Sequence, residues 1–149
     1  LSTDKEATLP SSSIAVNESM PKRAVHRLFG SDKNALEGKT IAVLGAAYRN
    51  GVKETAFSGV FPLVEEIELL GGKAVVHDPL YSDEELLALG LPAFQLGSHC
   101  DAAIVQTDHE MYGDLSSSDL PGAEIIFDGR GIVDESKLSP ISVIVLGVG

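Results

Sequence analysis

Apolar residues arrive in short, nearly unbroken runs. TIAVLG from Thr40, KAVVHDP from Lys73, DAAIVQT from Asp101, AEIIFDG from Ala123 and ISVIVLGV from Ile141 each read as a strand. The first is apolar at almost every position, which suits a strand covered on both faces better than one with a wet side. Helical spacing appears at Val60, Leu63, Val64, Ile67 and Leu70, which places Glu65, Glu66 and Glu68 on the outer side. Pro62 must sit in the first turn, so this helix starts near Gly59, and Gly71 with Gly72 ends it. Ser82 followed by Glu85 predicts a capping box and a short helix over residues 83–89. Thr107 followed by Glu110 repeats that spacing and predicts another brief helix.

Strands separated by helices predict an α/β fold: a doubly wound, mostly parallel, Rossmann-like sheet with helices on both faces. Ahead of it, residues 1–13 carry no hydrophobic period and read as a disordered tail. From Ser19, the residues Pro21, Ala24, Val25 and Leu28 share a helical face that stops at Gly30, so an N-terminal helical appendage is expected, then a charged linker. The expected plan is a tail at 1–13, a helix and linker at 14–37, and a main domain at 38–149.

Charge narrows the partners. Asp and Glu number 22 against 11 Lys and Arg, and a net charge of -11 repels polyanions, which argues against nucleic acid. No apolar run reaches the roughly 20 residues of a membrane-spanning helix. The opening residues also lack the basic and apolar parts of a secretory signal, so a cytoplasmic protein with no membrane partner is expected. Cys100 is the single cysteine, in keeping with a reducing compartment, and it precedes an apolar strand, so a structural role is expected.

In a doubly wound sheet, ligands bind beyond the carboxyl ends of the strands, so loops that follow strands carry the candidate chemistry. The loop GAAYRNG at 45–51 has neither a dinucleotide fingerprint nor a phosphate loop, but Tyr48 and Arg49 offer an aromatic face beside a bidentate anion clamp. In FDGRGIVD at 127–134, glycines flank Arg130 and leave its guanidinium beyond a strand end. Two arginines on one sheet edge can hold one diphosphate. The competing reading pairs each arginine with a neighbouring carboxylate such as Asp128 or Asp134. Asp78 stands where a dinucleotide fold keeps its ribose-binding acid, yet Asp-Pro is also an ordinary turn opener and is read as one. His26, His77, His99 and His109 show no metal-ligand spacing, and no metal is expected.

The run IAVLGAAYRNGVKETAFSGVFPLVEEIELLGGKAVVHDP resembles the opening of the UDP-binding C-terminal domain of the UDP-glucose/GDP-mannose dehydrogenases. DAAIVQTDHEMY and IIFDGRGIVD are similar to two later segments of that domain, and VNESMP is similar to the start of the family's central, dimer-forming helix. The resemblance implies an enzyme that oxidises the C6 alcohol of a nucleotide sugar to a carboxylate, using two NAD+ and a cysteine-bound intermediate. It implies that NAD and the catalytic cysteine and lysine sit in an N-terminal domain. Cys100 does not match that cysteine. A chain that opens on Leu1 without that domain is expected to be the C-terminal piece of a longer homodimeric enzyme, inactive alone. The resemblance assigns the UDP-sugar to Tyr48, Arg49 and Arg130. Many members carry Arg-Glu-Ser where this chain has Ala56, Phe57 and Ser58, and Lys53 is the residue expected to replace that contact with the cofactor. Some members place a central-helix arginine in the partner's site; here Pro21 stands near that position, with Arg23 close by but unmatched. UDP-glucose and a UDP-N-acetylhexosamine both remain open as substrates. The alternative is a stand-alone nucleotide-binding or dimerisation module without catalysis.

Overall fold

The computed structural model describes residues 25–26, 29–30, 32–56 and 58–145. Five strands form one all-parallel sheet: β1 (Thr40–Leu44), β2 (Lys73–His77), β3 (Ala102–Val105), β4 (Ile125–Asp128) and β5 (Ser142–Val145), in the order β2-β1-β3-β4-β5. Each lies within its predicted run. Because strand side chains alternate between faces, an unbroken apolar strand serves two cores at once. Ile41, Val43, Ala102, Ile104 and Phe127 enter one, while Ala42, Leu44, Ala103, Val105 and Ile126 enter the other.

The first core lies beneath α1 (Val60–Leu69), which presents Val60, Leu63, Val64 and Ile67 to the sheet. Gly59 is its N-cap, Ser58 Oγ accepts from the Val60 N–H, and Gly71 follows at φ 90°, as the Pro and Gly signals predict. α2 (Asp83–Ala88) carries the predicted capping box between Ser82 and Glu85 and contributes Leu86 to the same core. Beyond it, Ala93 bridges Val76 in parallel, so residues 92–94 cover the outer edge of β2.

The second core is covered more lightly. Two 3-10 turns, at Glu110–Asp114 and Ser117–Asp119, the leucine that follows each, and a four-residue helix, α3 (Glu135–Leu138), cover it with Tyr112, Leu115, Leu120 and Leu138.

Two predicted details change. Thr107 caps nothing: the 3-10 turn begins after His109, and Thr107 is buried with its hydroxyl donating to Ala47 O at 2.7 Å. Glu66 does not face solvent with Glu65 and Glu68, because the N-terminal segment lies over it and His26 Nε2 meets its carboxylate at 2.5 Å. Val25 is fully buried in the first core, as its place on an apolar helical face implies. The tail and the positions Pro21, Arg23, Ala24 and Leu28 lie outside the described residues. The charged linker packs closely, with Leu36 buried and its N–H donating to Leu70 O.

Candidate functional site

All five strands leave the sheet at one edge, and the strand order reverses between β1 and β3. In folds of this kind ligands bind at that reversal, and here the β1 and β3 loops meet at it, with the Thr107 hydroxyl donating to Ala47 O. Three segments form this rim: residues 45–56 after β1, 106–109 after β3 and 129–134 after β4.

The β1 loop is held by a buried carboxylate. Asp78 Oδ2 accepts the Ala46 and Ala47 N–H groups at 2.7 and 2.9 Å and His109 Nε2–H at 2.9 Å, while Oδ1 accepts the Leu80 N–H at 2.8 Å. Four donors stabilise a charge that burial alone would make costly. The turn assignment for Asp78 therefore covers one of its bonds, to Leu80, and misses the other three. A dinucleotide ribose does not fit here, since this carboxylate is fully buried and already occupied. Further out, the Asn50 N–H reaches Asp108 Oδ1 at 3.1 Å and the Gly51 N–H reaches His109 Nδ1 at 3.4 Å. The Gly51 N–H points at Nδ1 and leaves Nε2 as the nitrogen that donates to Asp78.

The β4 loop is built the same way. Asp128 is fully buried, and its carboxylate accepts the N–H groups of Arg130, Gly131 and Val133 at 2.8–2.9 Å. Asp134 is turned to Ser136, whose N–H and hydroxyl hold its carboxyl below the usual range. Both carboxylates weighed as partners of Arg130 are thus engaged elsewhere. Among the described residues neither Arg49 nor Arg130 forms an ion pair, and both are exposed. Arg130 Nε donates to Gln106 O at 3.0 Å, which leans it over the end of β3.

β1 and β4 flank β3, so these exits stand two strand spacings, about 10 Å, apart. That distance lies within joint reach of two arginine side chains. Tyr48 and Arg49, on the loop after β1, and Arg130, on the loop after β4, thus follow strands that end at the same edge of the sheet. Lys53 is placed apart, on the β2 side, with Nζ 2.6 Å from Glu85 Oε2 and 5.3 Å from the Tyr81 ring centroid. Sequence reasoning missed Asp78, Thr107, Asp108, His109 and Asp128 as the groups that shape the rim. Aspartates at strand exits followed by Pro or Gly were the available signal.

Cys100 is fully buried ahead of β3, and burial pushes its thiol up to about 11. Among the described residues no cluster could hold a metal ion, and no helix is long and apolar enough to cross a membrane. In the second core Tyr112 is buried, its hydroxyl 2.9 Å from His77 Nδ1 and 3.1 Å from His77 O. Burial pushes the Tyr112 hydroxyl far above its ordinary range. It also pushes the His77 imidazole below its ordinary 6.5, against the opposing pull of Asp78.

A histidine that folding keeps neutral binds its proton more readily when unfolded. Its contribution is fully present above 6.5 and is lost as pH falls through the lowered folded value. Urea midpoints measured near pH 7.5 and near pH 5.5 should fall further for the wild type than for His77→Gln. Equal falls would remove His77 from the acid sensitivity.

The family described as "UDP-glucose/GDP-mannose dehydrogenase family, UDP binding domain" matches residues 42–135, well over half the chain. UDP-glucose 6-dehydrogenase 2 of Oryza sativa subsp. japonica is 25% identical over 170 aligned positions, which take in 91% of this chain and 35% of the relative. UDP-glucose 6-dehydrogenase AglM of Haloferax volcanii is 28% identical over 142, taking in 86% and 31%. The chain thus spans about a third of the length of the curated relatives it matches.

Among solved structures, the UDP-N-acetyl-mannosamine dehydrogenase Cap5O from S. aureus superposes at a TM-score of 0.67 with 19% identity, over 88% of this chain and 32% of that one. A UDP-glucose dehydrogenase from Pyrobaculum islandicum gives 0.62 with 24% identity, over 92% and 31%. At these identities the likeness is one of fold. A five-stranded parallel sheet with anchored loops at its carboxyl edge, and a family match that takes in both arginine loops, agree: this chain belongs to the UDP-glucose/GDP-mannose dehydrogenase family, through its UDP-binding domain.

Proposed function

We propose that this chain holds the substrate of an NAD-dependent UDP-sugar 6-dehydrogenase, the enzyme class that oxidises the C6 alcohol of UDP-glucose or a UDP-N-acetylhexosamine to the uronate. The observation that carries the reading is the pair of exposed guanidiniums, Arg49 and Arg130, standing either side of the β3 exit without carboxylate partners among the described residues. Guanidinium groups pair with phosphates through two parallel hydrogen bonds, and two such groups bracket a diphosphate. Tyr48, 38% exposed beside them, gives the ligand an aromatic face.

In this reading the chain contributes binding, and its one thiol, Cys100, is fully buried with its pKa pushed up to about 11, away from the range of a nucleophile. The hydride step and its NAD belong, in this reading, to the rest of a homodimeric enzyme. Lys53 is proposed as a cofactor contact; a phosphate reaching it displaces Glu85 from an exposed ion pair of little net strength.

Titration of UDP into the intact protein tests the reading. Arg130→Ala should weaken binding about 30-fold, or about 2 kcal/mol, the worth of one charge-assisted contact. Unchanged affinity removes Arg130 from the site, and absence of UDP binding by the wild type overturns the reading as a whole.

A further inference from the structure

The four residues that follow β3 each hold part of the rim. Gln106 O accepts from Arg130 Nε, Thr107 Oγ1 donates to Ala47 O, Asp108 Oδ1 accepts from the Asn50 N–H, and His109 Nδ1 accepts from the Gly51 N–H. Asn50 and Gly51 follow Arg49 directly, in a turn closed by the Val52 N–H to Arg49 O at 3.3 Å. That turn is exposed and has little packing of its own. Within its own loop the turn is closed by the Tyr48 N–H to Glu54 O at 2.7 Å, and Asp108 and His109 are the residues that tie its tip to the β3 exit. His109 is itself fixed from behind by Asp78, so the hold is rigid.

We propose that Asp108 and His109 are positioning residues: they clasp the Asn50–Gly51 turn so that Arg49 is set, before ligand arrives, at the distance from Arg130 that one diphosphate requires. The inference rests on the nucleotide-sugar reading of the site. A binding group held in place beforehand spares the ligand the entropy of ordering it, and the benefit appears as affinity.

Asp108 carries a negative charge near an anion site, so Ala and Asn replacements must be compared with each other, both being neutral. Asn keeps an acceptor for the Asn50 N–H and Ala does not. UDP titration of the intact protein should show Asp108→Ala binding about tenfold more weakly than Asp108→Asn, at matched thermal stability. The difference should vanish in an Arg49→Ala background and persist in an Arg130→Ala background, because Arg130 is anchored separately on Gln106.

His109 gives a second reading of the same point. Gln can reach Asp78 as Nε2 does but leaves Gly51 without its acceptor, so His109→Gln should fold normally and lose affinity. His109→Asn keeps the acceptor and abandons Asp78, so it should lose stability first. Equal affinity of the Asp108→Ala and Asp108→Asn proteins overturns the proposal, as does a difference that survives removal of Arg49. A wild type that fails to bind UDP sinks the underlying reading instead.

Discussion

Asp78→Ala is expected to be among the most damaging substitutions in the molecule, at about 3–5 kcal/mol of stability. The carboxylate is fully buried and satisfies the N–H groups of Ala46, Ala47 and Leu80 together with His109 Nε2–H. Its removal strands four donors where water does not reach, and each unsatisfied group costs roughly 1–3 kcal/mol less whatever relaxation recovers. The damage should reach the site as well, since Ala46 and Ala47 begin the loop that carries Arg49. Asn at this position keeps one oxygen for the three donors that share Oδ2 and turns its amide towards Leu80, so it should cost clearly less than Ala. Guanidinium unfolding of the three proteins reads the order. Asn and Ala equally harmful would mean that the charge, not the acceptor geometry, holds the loop.

Gly45→Ala comes next, at about 3 kcal/mol or more. Gly45 has φ 112°, a conformation that L side chains adopt only under strain, and its N–H donates to His77 O at 2.7 Å, so the backbone is not free to turn. A Cβ here would lie 2.7 Å from the backbone nitrogen of Thr107 and nearer still to that residue's Cβ and Oγ1. Rotating a side chain does not relieve a clash with main chain. Thr107→Ala should therefore fail to rescue Gly45→Ala, because the Cβ and nitrogen of residue 107 both remain. Rescue by that second substitution, judged from thermal midpoints, would show that the hydroxyl and methyl caused the crowding. The close approach has a use: it brings the β1 and β3 exits together, so that Thr107 can fasten Ala47 and the next two residues can fasten the Arg49 turn.

The site was legible in part. Arg49 and Arg130 stand out in the sequence because each follows an apolar run and lies beside glycine or an aromatic residue, and both emerge at the same edge. Their freedom from Asp128 and Asp134 was not legible. Proximity in sequence favours a pair, and the local backbone geometry decides against it: Asp128 spends its oxygens on the three N–H groups of the turn that follows it. Glu66 shows the same limit. Its helical position between outward Glu65 and Glu68 hides the fact that a segment 40 residues earlier lies over it.

The hydrophobic pattern by itself determined five strands, the ten-residue helix between the first two, the turn at each helix end and the parallel character of the sheet. A strand apolar on both faces has few ways to be buried, and Gly, Pro and Ser-x-x-Glu signals act over a few residues of local backbone. The tertiary structure alone decided that β3 lies between β1 and β4, and therefore that residues 106–109 touch both arginine loops. Periodicity says which way a side chain faces within its strand. The neighbour it meets depends on strand order and on where the chain crosses over, and those are set by contacts between segments far apart in sequence.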